Sequence, residues 1–194
     1  MRRLFNVPNQ LTMLRMMFLP FIVLTLLDKH YPWALGLFIL AGLSDGLDGL
    51  LARRLHQQTQ VGQYLDPIAD KLLLSTLFLV LSILHKIPWK FTVIVFSRDV
   101  SMLVASAVLY TIAGLRNFKP SVFGKANTAA QVGALFFVLL FQVNQSPFVA
   151  GARKFFLWAT FVLTIFSAVH YVYLVEKRLH AQHASTESAT ASRG

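Results

Sequence analysis

Apolar residues arrive along this chain in long runs parted by short polar breaks. A helix needs about 20 mostly apolar residues to cross a bilayer, and that length sorts the runs. The first extends from about Leu11 to Leu27, with Pro20 inside it. Before it, Pro8 and Asn9 mark a break, and Leu4, Phe5 and Val7 predict a short interfacial segment. Asp28 to Pro32 is a turn. The next run, Trp33 to Leu43, is too short to span alone. It gains the length only by continuing through Asp45, Asp48 and Ala52 to about Arg54. Leu55 to Leu65 is mostly polar and reads as a connection. Asp66-Pro67 pairs a good N-cap with a good first helical residue, so a third helix is expected from there to about Leu84. Pro88 and Trp89 open a fourth, to about Ala113. A basic loop, 114–124, leads to a fifth from Lys125 to Val143. After a turn over Asn144 to Gly151, a sixth covers Arg153 to Val175. The pattern predicts an all-α polytopic membrane protein with six transmembrane helices. Its single domain covers residues 1–180, and the small, polar stretch 181–194 is expected to be disordered.

Composition supports this class. Hydrophobic residues make up 56% and charged residues 13% of 194 positions, against about 25% charged in a soluble domain. Without cysteine, disulfides and thiolate metal sites are excluded. The formal net charge of +10 suits cytoplasmic loops and anionic headgroups. Nothing gathers it into a nucleic-acid-binding domain. With the N-terminus inside, eleven basic residues fall inside: Arg2, Arg3, Arg15, Arg53, Arg54, Arg116, Lys119, Lys125, Lys177, Arg178 and Arg193. Five fall outside: Lys29, Lys86, Lys90, Arg153 and Lys154. The bias predicts N-in, C-in topology.

Against this basic background the acidic residues are concentrated. Asp45, Asp48, Asp66 and Asp70 lie within residues 45–70, and the other four acidic residues are scattered. Asp45 and Asp48 are three apart and Asp66 and Asp70 four apart, so each pair shares a helix face. An antiparallel helix pair can present all four to one space at the cytoplasmic boundary. Converging carboxylates at membrane depth are costly unless partnered. Oxygen-only ligands favour Mg²⁺ or Mn²⁺, and two such ions can clamp a diphosphate. Gly46, Gly49, Ala52 and Gly62 leave room for a ligand, and Arg53 can pair with a phosphate oxygen. Taken singly, each residue has a plainer reading. Asp45 and Asp48 can pair with Arg53 and Arg54, Asp66 can serve only as an N-cap, and Asp70 can pair with Lys71 or Arg98.

The joint spacing is far more specific. Asp45-x2-Asp48-Gly49-x2-Ala52-Arg53-x8-Gly62-x3-Asp66-x3-Asp70 resembles the motif of the CDP-alcohol phosphatidyltransferase family at all eight fixed positions. At about 5% per residue type, chance gives such a match on the order of once in 10¹⁰ start positions. Asn6 to Arg15 is similar to the opening of the phosphatidylglycerophosphate synthase branch. Pro120 to Gln131, with Gly124, Lys125, Asn127 and Thr128, resembles the CMP-forming cardiolipin synthase branch. The resemblance implies transfer of a phosphatidyl group from CDP-diacylglycerol to an alcohol, with release of CMP. It implies two divalent ions held by Asp45, Asp48, Asp66 and Asp70, with Asp70 also the general base. It places Gly49, Ala52, Arg53 and Gly62 along the CDP pocket, and it implies a homodimer in a bacterial inner membrane. Spacing alone leaves Asp66 and Asp70 equal as bases.

The acceptor expected first is glycerol 3-phosphate, whose phosphate needs cations. Arg98, Arg116 and Lys125 are the candidates, and Arg98 stands out because it lies within a membrane helix. Its plainer reading is a salt bridge to Asp70 or Asp99. Arg98-Asp99 stands where the bacterial phosphatidylglycerophosphate synthases often read Arg-Glu. Phosphatidylglycerol is the alternative acceptor. A different class, an ion-coupled transporter, predicts charges spread through the spans rather than gathered at one end. His56 and His85 are not at ligand spacing from the aspartates and read as loop histidines.

Overall fold

A computed structural model describes the backbone of residues 7–55, 60–113 and 122–191, and the side chains of residues 16–44, 71–101 and 124–169. The described chain is helical throughout: α1 (Val7–Leu27), α2 (Tyr31–Leu55), α3 (Gln60–Ile83), α4 (Trp89–Ala113), α5 (Val122–Val143) and α6 (Pro147–Ala191). The expected number of helices and the ends of α2 and α4 agree with the hydropathy pattern. Four boundaries differ, each for a local reason.

Helix α1 starts at Val7, so Pro8 and Asn9 lie in its first turn instead of breaking it. A proline there loses no hydrogen bond, because first-turn N–H groups have no helical acceptor. Helix α3 starts at Gln60, so Asp66-Pro67 lies inside the helix and Asp66 is not its N-cap. Proline inside a membrane helix is tolerated where neighbours satisfy the freed carbonyl. Helix α6 starts at Pro147, six residues before the expected Arg153. Ser146 caps it: its hydroxyl accepts the Val149 N–H at 3.4 Å, and Pro147 takes the first helical position. At the other end α6 continues to Ala191, past the expected end at Val175 and through most of the stretch expected to be disordered. Ala181, Gln182, Ala184, Glu187 and Ala189 are good helix formers, which composition-based reasoning about disorder underweights. The interfacial segment before Val7 falls mainly outside the described residues, as does the basic loop at 114–121.

Two of the turns are closed by the same device. In the first, the Lys29 N–H bonds the Leu26 carbonyl and the His30 N–H bonds that of Thr25. In the second, His85 bonds Ser82 and Lys86 bonds Leu81. These are Schellman caps, with Lys29 (φ 60°) and His85 (φ 57°) in the left-handed position that glycine usually takes. The caps reverse the chain sharply, so α2 and α4 return beside α1 and α3.

Helix α1 packs on α2 and α3, α4 on α3 and α6, and α5 on α2, α3 and α6. The core between α1, α3 and α5 is aliphatic and aromatic: Ile22, Leu26, Leu77, Phe78, Leu81, Leu135 and Leu139 are fully buried. Side-chain contacts give the register. Arg153 stacks on Phe141, Phe156 on Phe137, and Thr164 bonds Asn127, so α5 and α6 run antiparallel. Phe91 meets Trp158 and Phe161 while Arg98 meets Ser167, so α4 and α6 run parallel.

The outer surface is as apolar as the core. Trp33 is 72% exposed, Phe148 79% and Phe155 67%, with Met17, Phe21, Leu43, Phe166 and Val169 also facing outward. Soluble monomers rarely carry so much contiguous apolar surface. Among the described residues, Gly124–Val143 and Pro147–Val169 are long and apolar enough to cross a membrane, and Met16–Leu27, Tyr31–Ser44 and Lys71–Ile83 are shorter apolar helices. The chain has the architecture of an integral membrane protein.

Candidate functional site

The four aspartates of the motif fall on two helices. Asp45 and Asp48 lie in the second half of α2, and Asp66 and Asp70 in the first half of α3. Each pair stands on unbroken helix, so its spacing of three or four keeps its members on one face. Gly49, Ala52 and Arg53 share α2 with the first pair, and Gly62 shares α3 with the second. The side chains of all eight lie outside the described residues, as does Arg116. Among the described residues no group of three or more potential metal ligands gathers. The donor set of the motif, carboxylates with no cysteine in the chain, fits a hard divalent cation.

Described side chains begin immediately after Asp70. Lys71 Nζ lies 3.9 Å from Asp99 Oδ1, tying α3 to α4 at this level. Arg98 Nη1 donates to the same Asp99 oxygen at 2.7 Å. Successive helical residues point about 100° apart, so the contact forms because the long Arg98 side chain folds back. Arg98 is 5% exposed and Asp99 7%. The salt bridge that sequence offered as the plainer reading of Arg98 is therefore present, with Asp99 as the partner. It does not exhaust the guanidinium. Arg98 Nη2 donates to Ser167 Oγ at 3.2 Å, and Arg98 Nε is buried with no partner among the described residues. Among the described residues two basic side chains, Lys71 and Arg98, share one carboxylate, that of Asp99.

One turn back along α6, Thr164 donates to Asn127 Oδ1 of α5 at 2.9 Å. Asn127 Nδ2, Gln131 Nε2 and the Thr160 hydroxyl are buried without partners among the described residues. Thr160, Thr164 and Ser167 follow one face of α6 at spacings of four and three. Together with Arg98, Asp99, Asn127 and Gln131 they form a buried polar layer between α4, α5 and α6. Buried polar atoms are normally paired, so four unpartnered ones in one layer are unusual. Lys125, the other described acceptor candidate, is exposed on the first turns of α5. Sequence analysis singled out Arg98 and Lys125 as cations but passed over Thr160, Thr164 and Ser167. Their only signal is a hydroxyl at every third or fourth position of an otherwise apolar run.

The register puts Arg98, Asp99 and Ser167 at the level of the acidic motif, while Thr160 and Gln131 lie toward the Phe91 end of the bundle. Lys71 meets Asp99, and Ser82 meets Thr92, so α3 and α4 run antiparallel with Asp70 and Arg98 near one height. The Arg98 end of the layer thus adjoins the carboxylate-bearing end of α3. Such a place can hold an anion between donors on one side and the aspartate-bearing end of a helix on the other.

Comparison with known proteins points to the same chemistry. Residues 5–166 match the family described as CDP-alcohol phosphatidyltransferase. The chain is 36% identical over 174 residues to the CDP-diacylglycerol–glycerol-3-phosphate 3-phosphatidyltransferase of Escherichia coli, covering 87% of this chain and 93% of that protein. It is 38% identical over 145 residues to human cardiolipin synthase (CMP-forming), covering 66% of this chain and 48% of that protein. The rat cardiolipin synthase (CMP-forming) matches at 39% over 145 residues. The chain spans about half the length of these two mammalian relatives.

Proposed function

The chain belongs to the CDP-alcohol phosphatidyltransferase family, and from that premise we propose that it transfers a phosphatidyl group from CDP-diacylglycerol to glycerol 3-phosphate. The products are phosphatidylglycerophosphate and CMP. The observation that carries the acceptor half of this reading is buried Arg98 at the height of Asp70, whose Nε has no partner among the described residues. The relative matched over 93% of its length bears the name of this reaction.

Asp45, Asp48, Asp66 and Asp70 would hold two divalent cations, Mg²⁺ or Mn²⁺, which neutralise the diphosphate of the donor and the charge on departing CMP. Gly49, Ala52 and Gly62 keep the flanking helix faces low, so the cytidine and diphosphate approach the backbone, and Arg53 adds a cation to a phosphate oxygen. Arg98 holds the phosphate of the acceptor through its free N–H groups. Asp70 takes the proton from the acceptor hydroxyl. As that O–H bond breaks, the oxygen forms its bond to the phosphorus of the phosphatidyl group, and the bond from that phosphorus to the CMP oxygen breaks. Lys125 and Arg116 draw the anionic acceptor toward the cytoplasmic mouth.

All six helices cross the bacterial inner membrane in this reading, with both termini and the acidic motif on the cytoplasmic side. The enzyme works as a homodimer. A second reading, CMP-forming cardiolipin synthesis with phosphatidylglycerol as acceptor, is favoured by the 38% identity to the human enzyme of that name.

The test is CMP release by purified full-length protein in detergent, with CDP-diacylglycerol and Mg²⁺ or Mn²⁺. Glycerol 3-phosphate should give CMP and phosphatidylglycerophosphate. Release with phosphatidylglycerol alone would replace the first reading by the second. No release with either, or with inositol phosphate or serine, would sink the enzyme. Chelation with EDTA should stop turnover and added Mg²⁺ or Mn²⁺ restore it. Asp70→Asn should lower turnover by about 10²–10⁴-fold, the usual worth of a general base and here also of a metal ligand, while CDP-diacylglycerol still binds.

A further inference from the structure

A cleft lies at the other end of the bundle. Its volume is about 680 Å³, and it opens where the α3–α4 turn meets the first half of α6. Along α3 it is reached at Ser82, twelve residues beyond Asp70, or roughly 18 Å at the helical rise. It is thus a separate place from the acidic motif.

Four cations line it, Lys86, Lys90, Arg153 and Lys154, and no acidic residue does. Among the described residues none of the four has a carboxylate within salt-bridge distance. They rest on aromatic rings instead. Lys90 Nζ lies 4.9 Å from the Trp158 ring centre and 5.2 Å from that of Phe91, and Lys86 Nζ lies 5.3 Å from that of Tyr31. The Arg153 guanidinium lies 4.0 Å from the centre of Phe141, and its Nε is buried without a partner among the described residues. Rings can hold cations in place, but they take none of the hydrogen bonds these groups can donate.

The cleft walls are apolar below this charged rim. Ile87, Pro88 and Leu157 line it, and Trp89 and Trp158 are each about half exposed at its edge. Half-exposed tryptophans are the usual residues of the headgroup layer. Apolar walls, aromatic edges and unneutralised cations together suit an amphiphile with a phosphate head. A free phosphate would leave the walls unused.

We propose that this cleft binds the phosphate headgroup of an anionic phospholipid, with Lys90, Arg153 and Lys154 on the phosphate and Trp89 and Trp158 beside the glycerol region. The assignment rests on the membrane placement of the chain and on nothing about the reaction. It also accounts for a cluster of cations at the end of the bundle where the positive-inside rule predicts few.

Full-length protein in phosphatidylcholine nanodiscs, titrated with phosphatidic acid, tests this. Phosphatidic acid has no alcohol and cannot act as an acceptor. Two of the three tryptophans line the cleft, so their emission should shift saturably. Each basic residue near a headgroup contributes about fivefold in affinity, so Lys90→Gln, Arg153→Gln and Lys154→Gln combined should weaken binding about a hundredfold. Lys90→Arg with Lys154→Arg should keep it and shows that the fold tolerates change here. Asp66→Asn with Asp70→Asn should leave the shift intact, separating the cleft from the acidic motif. Equal emission with and without phosphatidic acid, an unweakened triple variant, or a full shift from inorganic phosphate with nothing added by lipid would overturn the proposal. Failure to enter nanodiscs at all would instead overturn the membrane placement.

Discussion

Between α1, α3 and α5 the buried interior is hydrocarbon, while between α4, α5 and α6 it contains guanidinium, carboxylate, amide and hydroxyl. Both regions are equally dry. Leu77 and Phe78 are fully buried, and so are Asn127, Thr160 and Thr164. Their roles differ because a bilayer removes the ordinary reason for a hydrophobic core: lipid tails are as apolar as leucine, so packing rather than water exclusion holds helices together. The aliphatic side can be explained by packing alone. The polar side cannot, since its unpartnered Arg98, Asn127, Gln131 and Thr160 atoms each carry a desolvation cost. A ligand that uses them is the simplest compensation.

The largest effect should come from removing the charge at the centre of the polar side. Among the described residues Arg98→Ala leaves buried Asp99 with only Lys71, at 3.9 Å, for a partner. Breaking a buried pair in this way costs about 3–5 kcal/mol, read as a lower melting temperature in detergent. If Arg98 also holds the acceptor, KM for glycerol 3-phosphate should rise in Arg98→Lys, which keeps the charge but loses the fork. An unchanged KM in a folded Arg98→Lys protein would reduce Arg98 to a structural ion pair.

The aliphatic side supplies the control. Phe78→Ala should cost about 3 kcal/mol through the cavity it leaves, with KM for both substrates unchanged in the folded fraction. A selective rise in acceptor KM there would erase the distinction between the two sides.

A smaller effect is expected at Gly133, where α5 meets Phe156 of α6. A Cβ at Gly133 would come within 2.5 Å of the Phe156 ring. That ring is stacked on Phe137, with centres 5.1 Å apart, so it cannot swing away freely. Gly133→Ala should cost about 1–3 kcal/mol by overpacking. The measurement is thermal melting alongside Gly151→Ala, where a Cβ meets nothing within 4 Å. Equal melting temperatures would show that α5 and α6 are looser than this contact implies.

How much of this was legible beforehand differs between the two regions in an instructive way. Hydropathy runs located each helix of the described residues, because long apolar runs are written in composition. The acidic motif was legible because four carboxylates are conspicuous in an apolar, basic chain. Helix starts at Gln60 and Pro147 were missed where a stronger-looking local signal lay nearby: Asp66-Pro67 outweighed Gln60, and Arg153 outweighed Ser146-Pro147. The polar layer was nearly invisible. Thr160, Thr164 and Ser167 look like ordinary tolerated hydroxyls in an apolar helix, and only packing reveals that Thr164 and Ser167 bond Asn127 and Arg98 rather than their own backbone.

Thr160 offers the finest separation of the two explanations. Its hydroxyl is fully buried and makes no hydrogen bond among the described residues. If the layer were merely tolerated, Thr160→Val would remove an unsatisfied group at almost constant shape. Stability should then rise by up to about 1 kcal/mol, with catalysis untouched. If the layer serves the acceptor, the same variant should still melt higher but show a raised KM for glycerol 3-phosphate and an unaltered KM for CDP-diacylglycerol. The gain in stability is common to both cases because it depends only on burial. The acceptor KM is therefore the deciding quantity, and a Thr160→Ser variant, which keeps the hydroxyl, should return it to the wild-type value. Failure of serine to restore KM would mean that the β-branched shape of Thr160, and not its hydroxyl, is what α6 contributes at this height.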